Sequence, residues 1–499
     1  MKMIGTNVLI AETSKEETTA GTLAFPSASD YLVLKDFPSF EQSPNNTTIQ
    51  DIKASRTTTD KTFNYFNYGS FSGLNISARP SGTAGTAPTA SEKTLLKAAL
   101  GKVTDSSTTG VSAVSISGIT QASPAVITVT DANHGFKAGH KITAANCTET
   151  DFNISYVVAS VSGVNITTET DASGFGGAAT DGDITLAMTS FTLDKELPYF
   201  STWMLTETGA AASGGGVLEA ASGCQINSFS CSLAKDGEVQ YSFGGDFSRL
   251  YYGGTGTLSA TAADSATTLT FDSASYDVDE LFFVGQKVNI IDPAGTVTLD
   301  APVSVTAVNS TGNTLTVDAL SVTSGPLPVG SIVKPYLPTG TISGSILSQR
   351  TAKAYLGTAD TGYGQASGDL FTSGNQILAN SASVDLSQNL QKPVETEMDG
   401  NEYPSAAFIA ENRELTGSLD HVFRIDDQKY YQSIKTTPRR ALGYSVGETA
   451  GSIIDFYLPK VFVDVPGNSQ SEGARVQNFP FEAIEPAAGE EEEFMIVYR

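Results

Sequence analysis

GSFSGLNISAR, residues 69–79, runs into TASEKTLLKAALG, residues 89–101, and much later ELTGSLDHVFR, residues 414–424, runs into IDDQKYYQSIKT, residues 425–436. Each passage reads as a strand, an arginine and a capped helix. In the first, Thr89 is placed to cap the helix with Glu92 reaching back to the cap, and Gly101 to close it. Leu95, Leu96, Ala99 and Leu100 then form one apolar stripe. In the second, Asp426 is the expected cap, Tyr430, Tyr431 and Ile434 the buried face, and Pro438 the stop.

Reading outward, the two halves continue in parallel. The aromatic strands YFSTWML (199–205) and IIDFYLP (453–459) follow, then QINSFSCS (225–232) against RVQNFPFE (475–482), and last EVQYSF (238–243) against EFMIVY (493–498). A repeat of this size with no catalytic residue riding on it points to a building block. Two Gly-rich β stretches interrupt it. Both place a glycine, Gly139 or Gly285, three residues before Ile142 or Val288, and both read as small β barrels or sandwiches. The organisation expected is a first domain over 1–104 and 187–255, inserts over 105–186 and 256–337, and a second domain over 338–499. Lifting the inserts out leaves two remainders of about 160 to 175 residues, an ordinary domain size.

Elsewhere, residues 61–77 read as a strand pair, from the period-two alternation of Phe63 and Tyr65, Phe66 and Tyr68, Leu74 and Ile76. Pro459 and Pro466 bracket a strand that is expected at a sheet edge, because proline cannot donate to a ladder.

Composition agrees with a mainly β chain. Of 499 residues, 40% are hydrophobic and only 17% charged, with 47 glycines, which favours many short strands over disorder. The net charge of −25 opposes any grip on nucleic acid through its phosphates. Cys147, Cys224 and Cys231 have no C-x-x-C spacing and read as core thiols. The N-terminus does not read as a signal peptide, and no stretch approaches the ~18 apolar residues of a membrane helix.

Catalytic chemistry finds no support. His134, His140 and His421 read as turn or surface residues, since no third ligand accompanies the first two. GSFSG (69–73) has Phe71 where a nucleophile would stand, and GFGGAA (174–179) lacks the βαβ context of a dinucleotide loop. The expectation is a non-enzyme without metal or cofactor. Trp203, in an alternating strand, is expected in the core.

The ordered series ETSKEETTAGTLAFP, FNYGSFSGLNISARP, EKTLLKAALG, GCQINSFSCSL, NSASVDLSQNL, RELTGSLDHVFRIDDQKYYQSI and IIDFYLPKVFVDVP resembles the tail tube (major tail) proteins of long-tailed siphophages. It covers both remainders and neither insert. The resemblance implies two β-sandwich tube domains, each with a short helix packed by Leu95, Leu96, Leu100 or by Tyr430, Tyr431, Ile434. It also implies stacked rings lined by a continuous barrel that conducts double-stranded DNA without specific binding. Two tube domains per chain make a trimeric, pseudo-sixfold ring the expectation, with a hexamer as the alternative. Tape measure, tail terminator and distal tail proteins are the implied partners. The implied place is the virion tail, assembled in the host cytoplasm, with no membrane involved. A fibre or adhesin binding host-surface glycans is the competing reading.

Overall fold

The computed structural model describes residues 8–49, 60–82, 88–208, 215–234, 237–272, 276–292, 294, 298–323, 325–340, 344–359, 363, 369–392, 402–405, 408–422, 438–464, 467–471, 474–485 and 493–499. The fold is mainly β, built from large antiparallel sheets and one small closed barrel.

The first half contributes Val8–Glu16 (β1), Tyr31–Leu32 (β2), Ser39–Glu41 (β3), Pro44–Ile49 (β4), Asp60–Phe66 (β5) and Gly69–Ser77 (β6). Helix α1 (Ala90–Leu100) follows, then Gly101–Thr104 (β7), Thr189–Leu193 (β8), Phe200–Thr208 (β9), Gly215–Ala234 (β10), Gln240–Phe247 (β11) and Arg249–Gly253 (β12). The second half contributes Lys353–Thr358 (β13), Gln376–Ile377 (β14), Ala379–Ser387 (β15), Leu390–Gln391 (β16), Ile409–Ala410 (β17) and Glu414–Val422 (β18). Arg439–Val446 (β19), Ile454–Val463 (β20), Gly467–Ser471 (β21), Ala474–Ala483 (β22) and Met495–Tyr498 (β23) complete it.

Pairing repeats between the halves. An outer sheet runs β2-β1-β9-β10-β12 in the first half, using the N-terminal part of β10. The second half runs β14-β13-β19-β20-β23. An inner layer runs β3-β6-β11-β10, then β15-β18-β22-β21. In each inner quartet the last two strands of the chain order are exchanged in space, so the permutation is the same twice.

This topology corrects the strand correspondence drawn from sequence. Beyond the helix it is one strand out of step: β9 matches β19, β10 matches β20 with β21, β11 matches β22, and β12 matches β23. The cause is β10, a single strand of 20 residues that serves both layers. Its counterpart is divided into β20 and β21, with Pro466 between them.

Two further expectations change. β5 and β6 are both strands but do not pair; β5 pairs β4 in a separate hairpin, while β6 lies between β3 and β11. The strand carrying Pro459 is internal, because β20 pairs β19, β22 and β23. Pro459 sits where the register slips between Arg440 and Leu442, a bulge that spares the ladder a missing donor.

One core fills the space between the layers and joins the halves. It holds Leu95, Leu96 and Leu100 of α1 with Phe229, Phe243, Val384, Leu386, Phe456 and Phe481. Thr89 Oγ1 accepts the Glu92 amide at 3.3 Å, and Gly101, at φ 103°, ends the helix where a side chain would strike Asp194. The capping box is not completed: the Glu92 carboxylate turns inward to the Tyr498 hydroxyl, at 2.6 Å. Cys147, Cys224 and Cys231 form no disulfide and are buried.

Six strands between residues 114 and 186 close into a barrel with its own core. Its flanking strands β7 and β8 pair with each other, Thr104 opposite Ser190, so the barrel leaves and re-enters the body at one point. We expect that replacing residues 105–188 with a two-residue Gly-Ser turn leaves a folded body. Val497, buried against the barrel, then becomes exposed, at a cost of about 1–3 kcal/mol in urea unfolding. Insoluble protein would mean that the barrel is part of the body core. Strands between residues 256 and 336 form an eight-stranded sheet with a separate core. That module is anchored through Lys334 and Glu207, paired at 2.8 Å.

Candidate functional site

The two inner quartets are not separate. The C-terminal half of β10 pairs β15 over seven positions, Ser228 opposite Ser387 through Ala234 opposite Ser381. The result is one antiparallel ribbon of eight strands in the order β3-β6-β11-β10-β15-β18-β22-β21. Among the described residues, β3 pairs only β6 and β21 only β22, so the ribbon ends in two open edges.

Its two faces differ because successive side chains alternate across a strand. Toward the core point Phe71, Leu74, Tyr241, Phe243, Phe229, Cys231, Val384, Leu386, Leu415 and Leu419, all buried. The opposite face is almost wholly hydroxyl, amide and carboxylate. Across it the register sets Asn75, Ser242, Ser230, Asp385, Thr416 and Glu482 in one row. A second row sets Gln240, Ser232, Ser383 and Ser418 side by side. Cross-strand hydrogen bonds tie the face together: Ser242 Oγ donates to Asn75 Oδ1 at 2.6 Å, Ser381 Oγ to Asp420 Oδ2 at 2.6 Å, and Asn478 Nδ2 to Asp420 Oδ1 at 2.7 Å. Ser383 and Ser418 hydroxyls meet at 3.2 Å, and Ser39 and Ser72 at 3.1 Å.

Charge contributed by the described strand residues of this face is acidic, and Asp246, opposite Ser70 in the row of Glu41, is paired with Lys392 at 2.7 Å. Glu41, Asp385, Glu414, Asp420 and Glu482 are its carboxylates. The sequence of all eight strands holds a single Lys or Arg, Arg475. A surface of this chemistry offers little to a phosphate: among the described residues of its strands no cation stands ready to displace counterions, and fixed negative charge repels it.

At the end of the ribbon where β6 begins and β15 stops, two hairpins leave it. One is β4 with β5, the other β16 with β17. Their bases are joined by aromatic contacts, Phe66 stacked on Tyr403 at 4.8 Å and Tyr68 tilted by 50° against Phe408 at 4.9 Å. Arg249 lies over the rings of both Tyr251 and Tyr403, at 4.6 and 4.3 Å. The Tyr68 hydroxyl donates to the Ser405 carbonyl at 2.8 Å.

The helix residues singled out in the sequence are support for this face rather than part of it. Leu95, Leu96 and Leu100 are completely buried in the core behind the ribbon. Gln388 Nε2, just beyond β15, donates to the Ala99 carbonyl at 2.6 Å and ties the helix to the second half. Tyr430, Tyr431 and Ile434, with their cap Asp426, lie outside the described residues. Trp203 is buried, its Nε1 donating to the Ala24 carbonyl at 2.8 Å, and it is not a platform for a sugar ring. His134 is buried and bonded to the Gly163 carbonyl at 2.9 Å. Among the described residues no three His, Cys, Asp or Glu side chains converge as metal ligands, and no helix is long and apolar enough to cross a membrane.

No family model matches the chain, and no curated protein matches it. The ribbon face was the feature sequence reasoning passed over, although its signal is present. Ser228, Ser230 and Ser232 alternate with Phe229, Cys231 and Leu233, and Ser381, Ser383, Asp385 and Ser387 alternate with Ala382, Val384 and Leu386.

Proposed function

We propose that this chain is a structural virion protein that polymerises as stacked rings into the hollow tail tube that conducts phage DNA into the host. The observation that carries the reading is the eight-stranded ribbon with open edges, apolar on one face and hydroxylated, acidic and poor in bases on the other. Exposed edges invite pairing, and a ring of ribbons removes them. Because the strands are even in number and alternate in direction, β3 of one copy meets β21 of the next antiparallel, in continuation of the sheet.

Three copies give twenty-four strands. With strands ~4.8 Å apart and tilted by up to ~40°, such a barrel has a backbone diameter of about 40–50 Å. That leaves room for a duplex about 20 Å across, roughly the combined depth of its two grooves and core. The repeated inner quartet makes the ring pseudo-sixfold from three chains. The ordered sequence resemblance to siphophage tail tube proteins supports the same assignment. On it, tape measure, terminator and distal tail proteins are the partners and the virion tail the location.

Negative-stain electron microscopy of purified protein, averaged end-on, tests this. Hollow rings with threefold or pseudo-sixfold symmetry are expected. Slender solid trimers, or monomers that stay monomeric when mixed with tail tips, would overturn the reading and favour a fibre.

A further inference from the structure

The hairpins leave the ribbon at one end; a cavity opens at the other. Beside the start of β15, a slot of about 360 Å³ lies between the inner and outer layers of the second half. Leu233, Ile377, Leu378 and Tyr444 are its apolar lining, and Arg350 and Lys353 line it beside Gln376 and Asn380. Tyr444 is 3% exposed and its hydroxyl has no hydrogen-bond partner among the described residues. Leu378, an aliphatic side chain, is 40% exposed. Lys353 reaches Glu448 at 3.2 Å, whereas Arg350 makes no ion pair among the described residues. A slot lined by apolar side chains, an orphan hydroxyl and two cations is unusual on a chain of net charge −25. It fits an extended segment that alternates carboxylates with apolar side chains.

The chain carries such a segment in the sequence between β16 and β17, whose hairpin leaves the opposite end of the ribbon. Residues 392–402, between β16 and β17, read KPVETEMDGNE, with Glu395, Glu397, Asp399 and Glu402 beside Val394 and Met398. β15, nine residues long, separates hairpin from slot by ~30 Å, so a copy cannot fill its own slot. We infer that the slot beside Tyr444 receives the acidic segment 392–402 of a second copy of this chain. An element at one end and its socket at the other form a heterologous contact, which propagates head to tail instead of closing on itself. This deepens the tube reading and rests on it for the meaning of the contact: it is the joint between successive rings.

Binding of a fluorescein-labelled peptide of residues 392–404 to the full chain, followed by anisotropy, tests the joint without requiring tubes. Salt-sensitive binding is expected. It should weaken at least about tenfold when Arg350→Glu and Lys353→Glu are combined, because like charges then face each other across the lining. A peptide with Val394→Ser and Met398→Ser should also bind more weakly, which charge alone would not produce. Absent binding, or equal binding to wild type and the double variant, overturns the inference. Electron microscopy separates the two readings. Wild-type and double-variant tubes of equal length would remove the joint and leave the tube. Peptide binding by a wild-type chain that never forms hollow rings would keep the contact and remove the tube.

Discussion

Leu95→Asp should remove the folded body altogether. Leu95 is completely buried in the core that both halves share, in a helix capped at Thr89 and ended at Gly101. Truncating a buried leucine costs about 2–5 kcal/mol from lost transfer and cavity terms. An aspartate adds the desolvation of a carboxylate with no partner, for a total of at least about 5 kcal/mol. That is of the order of the whole stability of a domain. The helix touches strands of both layers, so the loss spreads to the ribbon and with it to any assembly. Leu95→Asp is expected to give insoluble or unfolded protein, Leu95→Ala a soluble protein with a lowered urea midpoint, and Ser106→Asp, on an exposed loop, no change. A soluble Leu95→Asp protein with a wild-type urea midpoint would contradict the packing described for α1.

Much of this architecture is legible in the sequence because it depends on local rules. The period-two alternation in β6, the Thr89 cap, the Gly101 stop and the stripe of Leu95, Leu96 and Leu100 each follow from a few neighbouring residues. Strand partnership does not. Residues 61–77 contain two sound strands, yet β5 pairs backward to β4 and β6 pairs to strands far along the chain. Register is fixed by what lies across the sheet, which the alternation of one strand leaves open. The shift in the repeat has the same origin: β10 is written as one run and β20 with β21 as two, so matching run for run loses step. The polar face is legible in SFSCS and SASVDLS, but its continuity across eight strands comes from the pairing of β10 with β15, a contact between halves that no local pattern encodes.

Glu92 marks where a local rule yields to tertiary structure, and it makes stability depend on pH. Its carboxyl is 2% exposed and lies between α1, β11 and β23. Burial pushes its pKa from 4.5 up to about 7, against the opposing pull of the Tyr498 hydroxyl, which donates to Oε1 at 2.6 Å, and of the Arg79 amide. Tyr498 in turn meets the Tyr241 hydroxyl at 2.9 Å, so the group ends a buried chain of three. In the unfolded chain this carboxyl ionises near its ordinary value, so between about pH 4.5 and 7 the folded state holds a proton that the unfolded state has lost. Stability therefore falls as pH rises through that window and levels off above it, by about 3 kcal/mol in all. The growing net negative charge of the chain acts in the same direction, so the contribution of Glu92 is read as a difference. Glu92→Gln keeps the shape and removes the titration. Urea unfolding at pH 5 and pH 8.5 should show the wild type losing about 2.5 kcal/mol more than the Gln variant between the two. Identical losses in both proteins would mean that Glu92 ionises in the folded state as it does in water, and that burial does not hold its proton.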